Sequence, residues 1–394
     1  MKVLMLSDVY FPRVNGVSTS IRTFRRALAA AGHEIDLICP AYGDADVPEA
    51  GVQRIPARRV VFDPEDRMMH ARAVLRQADE LAGRGYGLIH VQTPFVAHWL
   101  GVRLARRLGL PLTETYHTFF EEYLYHYVPL LPRAALRALA RTVSRVQCNA
   151  LDGLVVPSQA MLDKLRGYGI RVPAAVIPTG LDGDSLGSGD GAALRAAHGI
   201  APDRPVLVHV GRLAHEKNVD ALLHMLFELR RLVPDVLLLI AGEGPAERHL
   251  RALAARLGLD AQVRFLGYLD RAAGLPGCYR AGDAFVFASR TETQGLVLLE
   301  AMSLGVPVVS TAVMGTRDIV GPQRGAVAVG EDPVEFAAAC ARVLGDAALR
   351  ARLGAEARAF AQGWSATATA GALAGFWQQC IDERLRTTAP CPAR

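Results

Sequence analysis

Short apolar segments alternate with longer segments of helical periodicity along this chain. In the first half, buried strands are predicted at residues 3–6, 35–38, 88–91 and 154–156, with helices at residues 17–31, 67–82 and 95–108. In the second half, strands are predicted at residues 206–210, 237–241, 263–266, 284–287 and 306–310. Because apolar strands separated by helices are typical of parallel sheets covered on both faces, the pattern predicts an α/β fold.

The two series of strands are separated by residues 178–191, a stretch rich in Gly and Asp. Such a composition is typical of a linker, so we place the domain boundary between Gly180 and Pro205. We therefore predict two doubly wound, Rossmann-like domains, residues 1–185 and 200–370, facing each other across a cleft. Ligands of such sheets bind at the carboxyl ends of the strands.

Composition is typical of a soluble globular protein. The 394 residues are 51% hydrophobic and 21% charged, which argues against disorder, and the sequence contains no apolar run long enough to span a bilayer. The apolar start is too short for a signal segment and continues into Ser7 and Asp8, as expected of the first strand of a cytoplasmic protein. The six cysteines are scattered, which argues against disulfide or metal frameworks. The net charge of +5 suits anionic ligands or an anionic surface.

Two carboxylates, Glu292 and Glu300, flank Gly295 directly after a predicted strand. A glycine after a strand lets the backbone approach a ligand closely, and the helix that begins there presents free N–H groups to an anion. Two acceptor-only carboxylates beside an anion site suit a ligand that carries both phosphate and hydroxyl groups. A nucleotide sugar is such a ligand.

Cationic and glycine-rich loops follow other predicted strands. Arg212 and Lys217 come after the strand at residues 206–210 and are both able to reach one diphosphate, although a solvated loop is the alternative. Gly242 and Gly244 follow residues 237–241, where backbone can approach a base or ribose. Gly16 follows the first strand, where Asn-Gly is equally compatible with a plain turn.

The combined motifs resemble those of glycosyltransferase family 4, whose members are retaining enzymes of the GT-B fold. The resemblance rests on Gly211 to Asn218, on Gly242 to Pro245 and on the Glu292-x7-Glu300 segment with Gly305-Val-Pro307 after it. It also includes the motif from Ser7 to Gly16. The family implies an acceptor-binding domain at residues 1–185 and a nucleotide-sugar donor domain at residues 200–370. A C-terminal helix within residues 371–394 would cross back to the first domain.

The resemblance also implies roles for individual residues. Arg212 and Lys217 would neutralise the donor diphosphate, Glu292 would bind a hydroxyl of the transferred sugar, and Glu300 would bind the ribose. His117 matches a histidine that approaches the donor sugar, with a satisfied core histidine as the alternative. Backbone contacts to the donor are implied for Gly16, Gly242, Gly244, Leu266, Gly295, Leu296 and Val297. Gln294 departs from the phenylalanine that many members carry.

Charge that develops on the leaving phosphate needs stabilisation, and Arg212, Lys217 and the helix after Gly295 can supply it without a metal. Asp-x-Asp pairs at residues 44–46 and 182–184 have a metal-binding spacing, but both lie in polar loops. We therefore predict no metal and no other cofactor. No nucleophile is convincing, although Glu121 and Glu122 are placed to be considered. The family implies same-face attack assisted by the leaving group, with retention of configuration.

Two segments bear on the acceptor. Residues 116–127 are rich in aromatic side chains, including Tyr123 and Tyr127, and resemble a pattern of diacylglycerol glucosyltransferases within the family. Residues 131–146 form an amphipathic helix with an apolar stripe at Leu136, Leu139, Val143 and Val146 beside a basic stripe at Arg133, Arg137, Arg141 and Arg145. Such a helix suits an anionic bilayer but is also common on ordinary protein surfaces.

We therefore expect a hexosyltransferase that uses a nucleoside-diphosphate sugar, UDP-glucose in the favoured reading, and a membrane lipid such as diacylglycerol. It would be cytoplasmic and peripheral on the inner face of the membrane, without nucleic-acid partners. One alternative keeps the chemistry with a soluble or polysaccharide-precursor acceptor, for example as a mannosyltransferase. The other alternative is a non-catalytic nucleotide-sugar-binding protein, against which the full set of charged residues argues.

Overall fold

The computed structural model describes residues 1–60, 67–119, 133–182, 186–187, 189–271 and 274–388. The chain forms two compact units, which we call the first unit (Met1–Gly180 with Ala366–Arg394) and the second unit (Leu181–Ser365). Each contains one parallel sheet with helices on its faces, so the predicted fold class of two Rossmann-like α/β domains is confirmed. No helix of the described residues is long and apolar enough to cross a membrane.

The sheet of the first unit has seven parallel strands in the order β3-β2-β1-β6-β7-β8-β9. These strands are β1 (Lys2–Leu6), β2 (Glu34–Pro40), β3 (Val52–Ile55), β6 (Leu88–Val91), β7 (Leu112–Thr115), β8 (Gly153–Val156) and β9 (Ala174–Val176), and an antiparallel pair adds β4 (Ala57–Arg59) and β5 (Arg67–Met69). The connecting helices are α1 (Gly16–Ala30), α2 (Ala71–Leu75), α3 (Ala78–Gly83), α4 (Val96–Leu108), α5 (Arg133–Cys148) and α6 (Gln159–Gly167).

The sheet of the second unit has six parallel strands in the order β12-β11-β10-β13-β14-β15. They are β10 (Val206–Val210), β11 (Leu237–Ala241), β12 (Val263–Gly267), β13 (Ala284–Phe287), β14 (Val308–Thr311) and β15 (Ala326–Val329). The helices are α7 (Gly191–Ala197), α8 (Val219–Leu229), α9 (Glu247–Arg256), α10 (Gly274–Ala281), α11 (Leu296–Ser303), α12 (Arg317–Val320), α13 (Pro333–Gly345) and α14 (Ala347–Gln362).

Alternation of side chains explains why these strands are apolar at every position. Val206 and Val208 of β10 belong to one core cluster of the second unit, whereas Leu207 between them belongs to the other cluster. The same alternation places Leu237 and Leu238 of β11 in opposite clusters. A parallel strand buried on both faces therefore appears in the sequence as a continuous apolar run.

One predicted element is wrong, and one helix was not predicted. Residues 67–82 do not form one helix: Arg67–Met69 pair with β4 as strand β5, and α2 and α3 follow as short separate helices. Between Gly180 and Pro205, where we placed the domain boundary, residues 191–197 form the helix α7, and Asp190 is its N-cap. The carboxylate of Asp190 accepts the amides of Ala192 and Ala193, a typical helix N-cap. Strand pairing and capping thus override the local composition in both places.

The last helix, α15 (Ala366–Thr388), belongs to the first unit and packs against α1. Trp377 is fully buried there, and its indole N–H donates to Nδ1 of His90 in β6 at 3.2 Å. Gly153 of β8 has no space for a side chain, because Phe376 and Cys380 of α15 occupy that position. The predicted C-terminal helix that returns to the first domain is therefore present and begins at Ala366.

Replacing Trp377 by Ala tests how much this helix contributes. Loss of a fully buried Trp side chain is expected to lower the free energy of unfolding by about 3–5 kcal/mol, measured by urea denaturation. Gln379→Ala, an exposed position on the same helix, is the control and is expected to change stability by less than about 0.5 kcal/mol. Equal stability of the two variants would contradict a core role for α15.

Candidate active site

The loops after β10 and β13 bring Lys217 and Glu292 together at the carboxyl edge of the second sheet. These strands are neighbours and pair in parallel, so both loops begin at the same edge. Lys217 lies at the end of the short 3-10 turn His215–Lys217, and its Nζ donates to Oε1 of Glu292 at 2.6 Å. Both side chains are mostly buried, so solvent and salt screen the attraction between the two charges less than in an exposed ion pair.

Hydrogen bonds within the second unit hold these two loops in place from both sides. Asn218 adopts the left-handed conformation with φ 54°, and its Nδ2 donates to the carbonyl oxygen of Ala288 at 3.1 Å. On the other side, the amide of Gly315 donates to the carbonyl oxygen of Glu292 at 2.8 Å. A side chain at Gly315 would clash with the backbone of Thr293. The position of Glu292 is therefore fixed by its neighbours in the segments that follow β10 and β14.

Gly242 and Gly244 lie very close to other backbone atoms, but these atoms belong to the protein itself. Side chains at these positions would clash with the carbonyl oxygens of Gly211 and Leu213, which belong to the loop after β10. The amides of Gly211 and Leu213 donate to Ala241 and Glu243 at 3.0 and 2.9 Å. The two glycines thus allow the loop after β11 to support the exposed Arg212, and their contacts with a donor stay predictions.

The N-terminus of α11 begins at the glycine of the Glu292–Glu300 segment. Gly295 has a positive φ of 95° and provides no side chain to cap the helix. Leu296 and Val297 are the first residues of the helix and are half-buried. Because the first amides of a helix have no intrahelical partner, this end presents donors and a positive dipole to an anion.

Glu300 lies one turn further along α11 and is only 1% exposed. Its Oε1 accepts from the guanidinium of Arg271, and its Oε2 accepts from the hydroxyl of Tyr279 at 2.8 Å. Neither partner was identified from the sequence. Leu266 lies in β12, half-buried and packed against the core of the second unit.

In the first unit, His117 follows β7 and is half-buried. Its Nε2 bonds to Oε1 of Gln92, which follows the neighbouring strand β6, at 2.9 Å. Because an amide oxygen only accepts, Nε2 carries the proton. Burial lowers the pKa of His117 to about 4, so the ring is neutral at neutral pH.

Gly16 is the first residue of α1. Its neighbour Asn15 caps this helix in a reciprocal arrangement with Ser18, in which each side chain accepts the other residue's amide at 2.9 Å. Gly16 has no positive φ, and an added Cβ would meet nothing within 4 Å. The packing of the first unit therefore does not require glycine at this position.

Helix α5 presents the predicted basic stripe on its surface, since Arg137, Arg141 and Arg145 are exposed. The predicted apolar stripe is divided: Leu136 is buried, whereas Leu139 and Val146 are 48% and 56% exposed. The helix packs instead through small and polar residues that include Ala140, Ser144 and Gln147. The side chain of Arg133 and the residues Glu121, Glu122, Tyr123 and Tyr127 lie outside the described part of the chain.

A buried polar cluster at the carboxyl edge of the first sheet was not predicted. The carboxylate of Asp8 accepts the hydroxyl of Thr93 at 2.8 Å and the amide of Ala97, at the start of α4, at 3.1 Å. Burial raises the pKa of Asp8 to about 7. Beside it, the buried side chains of His98 and Glu114 pair at 2.5 Å. The only sequence signal was an acidic residue directly after the first strand.

Of the two Asp-x-Asp pairs, Asp44 and Asp46 lie in or beside a 3-10 turn, where Asp46 accepts the amides of Tyr42 and Gly43 and pairs with Arg54. Asp184 lies outside the described residues. Within those residues no group of three or more His, Cys, Asp or Glu is arranged to hold a metal ion. Metal independence stays a prediction.

Residues 14–185 match the family model described as "Glycosyltransferase Family 4", and residues 190–360 match that of "Glycosyl transferases group 1". The chain is 31% identical over 318 residues to "Alpha-monoglucosyldiacylglycerol synthase" of Streptococcus pneumoniae, covering 79% of this chain and 71% of the relative. It is 30% identical over 385 residues to "D-inositol 3-phosphate glycosyltransferase" of Xylanimonas cellulosilytica, covering 90% of each.

Solved structures agree in fold. Sucrose-phosphate synthase from Thermosynechococcus elongatus has a TM-score of 0.79 at 23% identity, covering 97% of this chain and all of that one. HepE from Anabaena in complex with UDP-glucose has a TM-score of 0.72 at 22% identity, covering 98% and 100%. These likenesses identify the GT-B class of fold.

The sequence motifs, the two Rossmann-like sheets and the matches over both halves lead to one conclusion. The chain belongs to glycosyltransferase family 4 and is a glycosyltransferase.

Proposed function

We propose that this enzyme transfers a hexosyl group, glucose from UDP-glucose in the favoured reading, to a membrane lipid such as diacylglycerol. The observation that carries the donor part is the Lys217–Glu292 pair beside the open N-terminus of α11. A cation, a carboxylate and free helix amides at one sheet edge match the diphosphate and hydroxyl groups of a nucleotide sugar.

The proposed roles follow from charge. On donor binding, Nζ of Lys217 would turn from Glu292 to the diphosphate, assisted by Arg212 and the first amides of α11. Glu292, released from the lysine, would then accept a hydroxyl of the transferred sugar. The exchange keeps each charge partnered, so little desolvation is left uncompensated.

The proposed reaction breaks the bond between the anomeric carbon and the phosphate oxygen and forms a bond to the acceptor oxygen on the same face. The acceptor proton passes to the departing phosphate. Lys217 and the dipole of α11 stabilise the negative charge that grows on that phosphate, which is the step where preorganised charge contributes most. The neutral ring of His117 would serve as a hydrogen-bonding group at the sugar, because its lowered pKa keeps it uncharged.

The acceptor proposal rests on the surface of α5 and on one relative. Leu139 and Val146 are exposed on the same helix as the three arginines, a combination that favours a bilayer with anionic lipids. The Streptococcus pneumoniae relative is named as a monoglucosyldiacylglycerol synthase. Both points support a lipid acceptor at a membrane surface, with the enzyme bound peripherally.

A second candidate is transfer to a soluble acceptor that bears hydroxyl and phosphate groups. The alignment with the Xylanimonas cellulosilytica relative covers 90% of this chain, and that relative is named as a D-inositol 3-phosphate glycosyltransferase. The two candidates share the donor chemistry and differ only in the acceptor.

A product assay by mass spectrometry separates them. The enzyme is incubated with one donor at a time: UDP-glucose, UDP-galactose, UDP-N-acetylglucosamine or GDP-mannose. The acceptor is either vesicles that contain diacylglycerol or inositol 3-phosphate. The buffer contains a chelator and no added metal. We expect a hexosyl-diacylglycerol from UDP-glucose. A hexosyl inositol phosphate would favour the second candidate, and no turnover of any donor would contradict both.

Replacing Lys217 by Ala tests the role of the cation at the diphosphate. Loss of one preorganised charge is expected to lower kcat by about 100-fold or more, measured with the donor that the wild type uses. Arg280→Ala removes an exposed cation of the second unit at the end of α10, just before β13 begins, and is expected to retain wild-type kcat. Near-normal kcat in Lys217→Ala would remove this lysine from the mechanism.

Replacing Arg133, Arg137, Arg141 and Arg145 together by Gln tests the membrane surface. Since each basic residue near an anionic bilayer contributes about 1 kcal/mol, binding to vesicles containing phosphatidylglycerol should weaken by at least about tenfold in a sedimentation assay. A control replaces four exposed arginines elsewhere on the first unit, Arg59, Arg72, Arg76 and Arg103. Equal binding of the two variants would show that α5 is an ordinary surface helix.

A further inference from the structure

Glu300 is a buried carboxylate with two partners of different exposure. Its side chain is 1% exposed, and each oxygen accepts a hydrogen bond, one from Arg271 and one from Tyr279. Tyr279 on α10 is fully buried, whereas the side chain of Arg271, in the turn before α10, is 21% exposed. Arg271 is therefore the partner on the solvent side of the carboxylate.

The electrostatics of this cluster are strongly coupled. Burial raises the pKa of Tyr279 well above its usual value, and the charge of Glu300 adds to the effect. Burial opposes the charge of Arg271, but the carboxylate outweighs it and raises the pKa of this guanidinium. A buried ion that loses one partner is destabilised by several kcal/mol, so Glu300 requires a donor at Oε1 in every state of the protein.

The hydrogen bonding of the Arg271 guanidinium group is incomplete. Its Nε is buried without a hydrogen-bond partner among the described residues, so only one end of the guanidinium fork is engaged. A buried donor left unpaired weakens the arrangement. Tyr279, in contrast, donates its single hydroxyl proton to Glu300 at 2.8 Å within the core.

The ribose role proposed for Glu300 conflicts with this arrangement, because ribose hydroxyls cannot reach a carboxylate that is 1% exposed. We infer that Arg271 is an exchangeable partner: it donates to Oε1 of Glu300 in the nucleotide-free protein and gives up that place to the ribose hydroxyls of the donor. Tyr279 is the permanent partner and holds Oε2 in both states. This inference rests on the proposed function, since it requires a ribonucleotide at Glu300.

If Arg271 is exchanged for ribose, removing it changes the relative affinity for nucleotides with and without ribose hydroxyls. Removing an arginine with a purely structural role would not change that relative affinity. Removing Arg271 destabilises the nucleotide-free state, where it is a partner, more than the bound state, where ribose replaces it. The variant should therefore bind a ribonucleotide more tightly relative to an analogue without ribose hydroxyls. Removing the hydroxyl of Tyr279 affects both states alike and should leave that ratio unchanged.

The test uses titration calorimetry with UDP, ADP and GDP, continuing with the one that binds the wild type most tightly and with its 2′,3′-dideoxy analogue. In Arg271→Ala the preference for the ribonucleotide over the analogue should rise by at least about tenfold above that of wild type, the effect of one hydrogen bond to a charged group. Tyr279→Phe is the matched control, and its preference should stay within about twofold of wild type. If Arg271→Ala does not fold, Arg271→Met is used instead, because methionine retains the apolar part of the arginine side chain.

The outcomes separate the exchange from the function on which it rests. If wild type prefers the ribonucleotide but Arg271→Ala shows the same or a smaller preference, the exchange is overturned while the ribose role of Glu300 stands. If neither wild type nor Arg271→Ala prefers the ribonucleotide over the analogue, the ribose role fails and the exchange fails with it. If Tyr279→Phe shows the same rise as Arg271→Ala, the effect reflects general loosening of the site and overturns the exchange.

Discussion

The second unit depends on a steric constraint at the carboxyl edge of its sheet. The loop after β10 passes so close to the loop after β11 that Gly242 and Gly244 have no space for side chains. The loop after β13 is in turn held by Asn218 and Gly315. Since all these contacts form within the second unit itself, the loops that carry Lys217 and Glu292 are positioned by the protein, which is the preorganisation that electrostatic catalysis requires.

The carboxylates that these loops and α11 carry are paired with donors from the protein itself. Lys217 pairs with Glu292, and Arg271 and Tyr279 satisfy Glu300. Buried or half-buried charges are stable only with partners, so an anionic, hydroxyl-rich ligand would bind by exchange of partners rather than by filling an empty charged site. Buried acidic side chains of the first unit are also paired within the protein: Asp8 accepts an amide at the start of α4, and Glu114 pairs with His98.

Much of the fold could be predicted because most strands are apolar on both faces, as β10 and β11 illustrate. Strand β7 was missed since it reads Leu-Thr-Glu-Thr, and its polar side chains are buried by pairing with histidines: Thr113 and Thr115 bond to His90, and Glu114 pairs with His98. Such pairing is a tertiary property that local composition does not reveal. Strand β5 was likewise assigned to a helix because its pairing with β4 is not encoded in periodicity.

The placement of Lys217, Glu292 and Gly295 in the candidate site was predictable, because each lies in a segment that follows an apolar strand. Contacts between distant segments were not: Lys217 and Glu292 are 75 residues apart, and Arg271 and Tyr279 carry no motif that connects them to Glu300. The glycines at 242 and 244 were predicted to let the backbone approach a base or ribose, whereas the close neighbour that the structure shows is the chain's own backbone. A sequence shows that a glycine is needed but not which atoms it accommodates.

The most direct test of the central claim is a crystal structure of the protein with the nucleoside diphosphate that it binds. We predict that the diphosphate lies within hydrogen-bond distance of Nζ of Lys217 and of the first amides of α11, and that the Lys217–Glu292 contact is broken. A nucleotide bound elsewhere, with Lys217 still paired to Glu292, would contradict it.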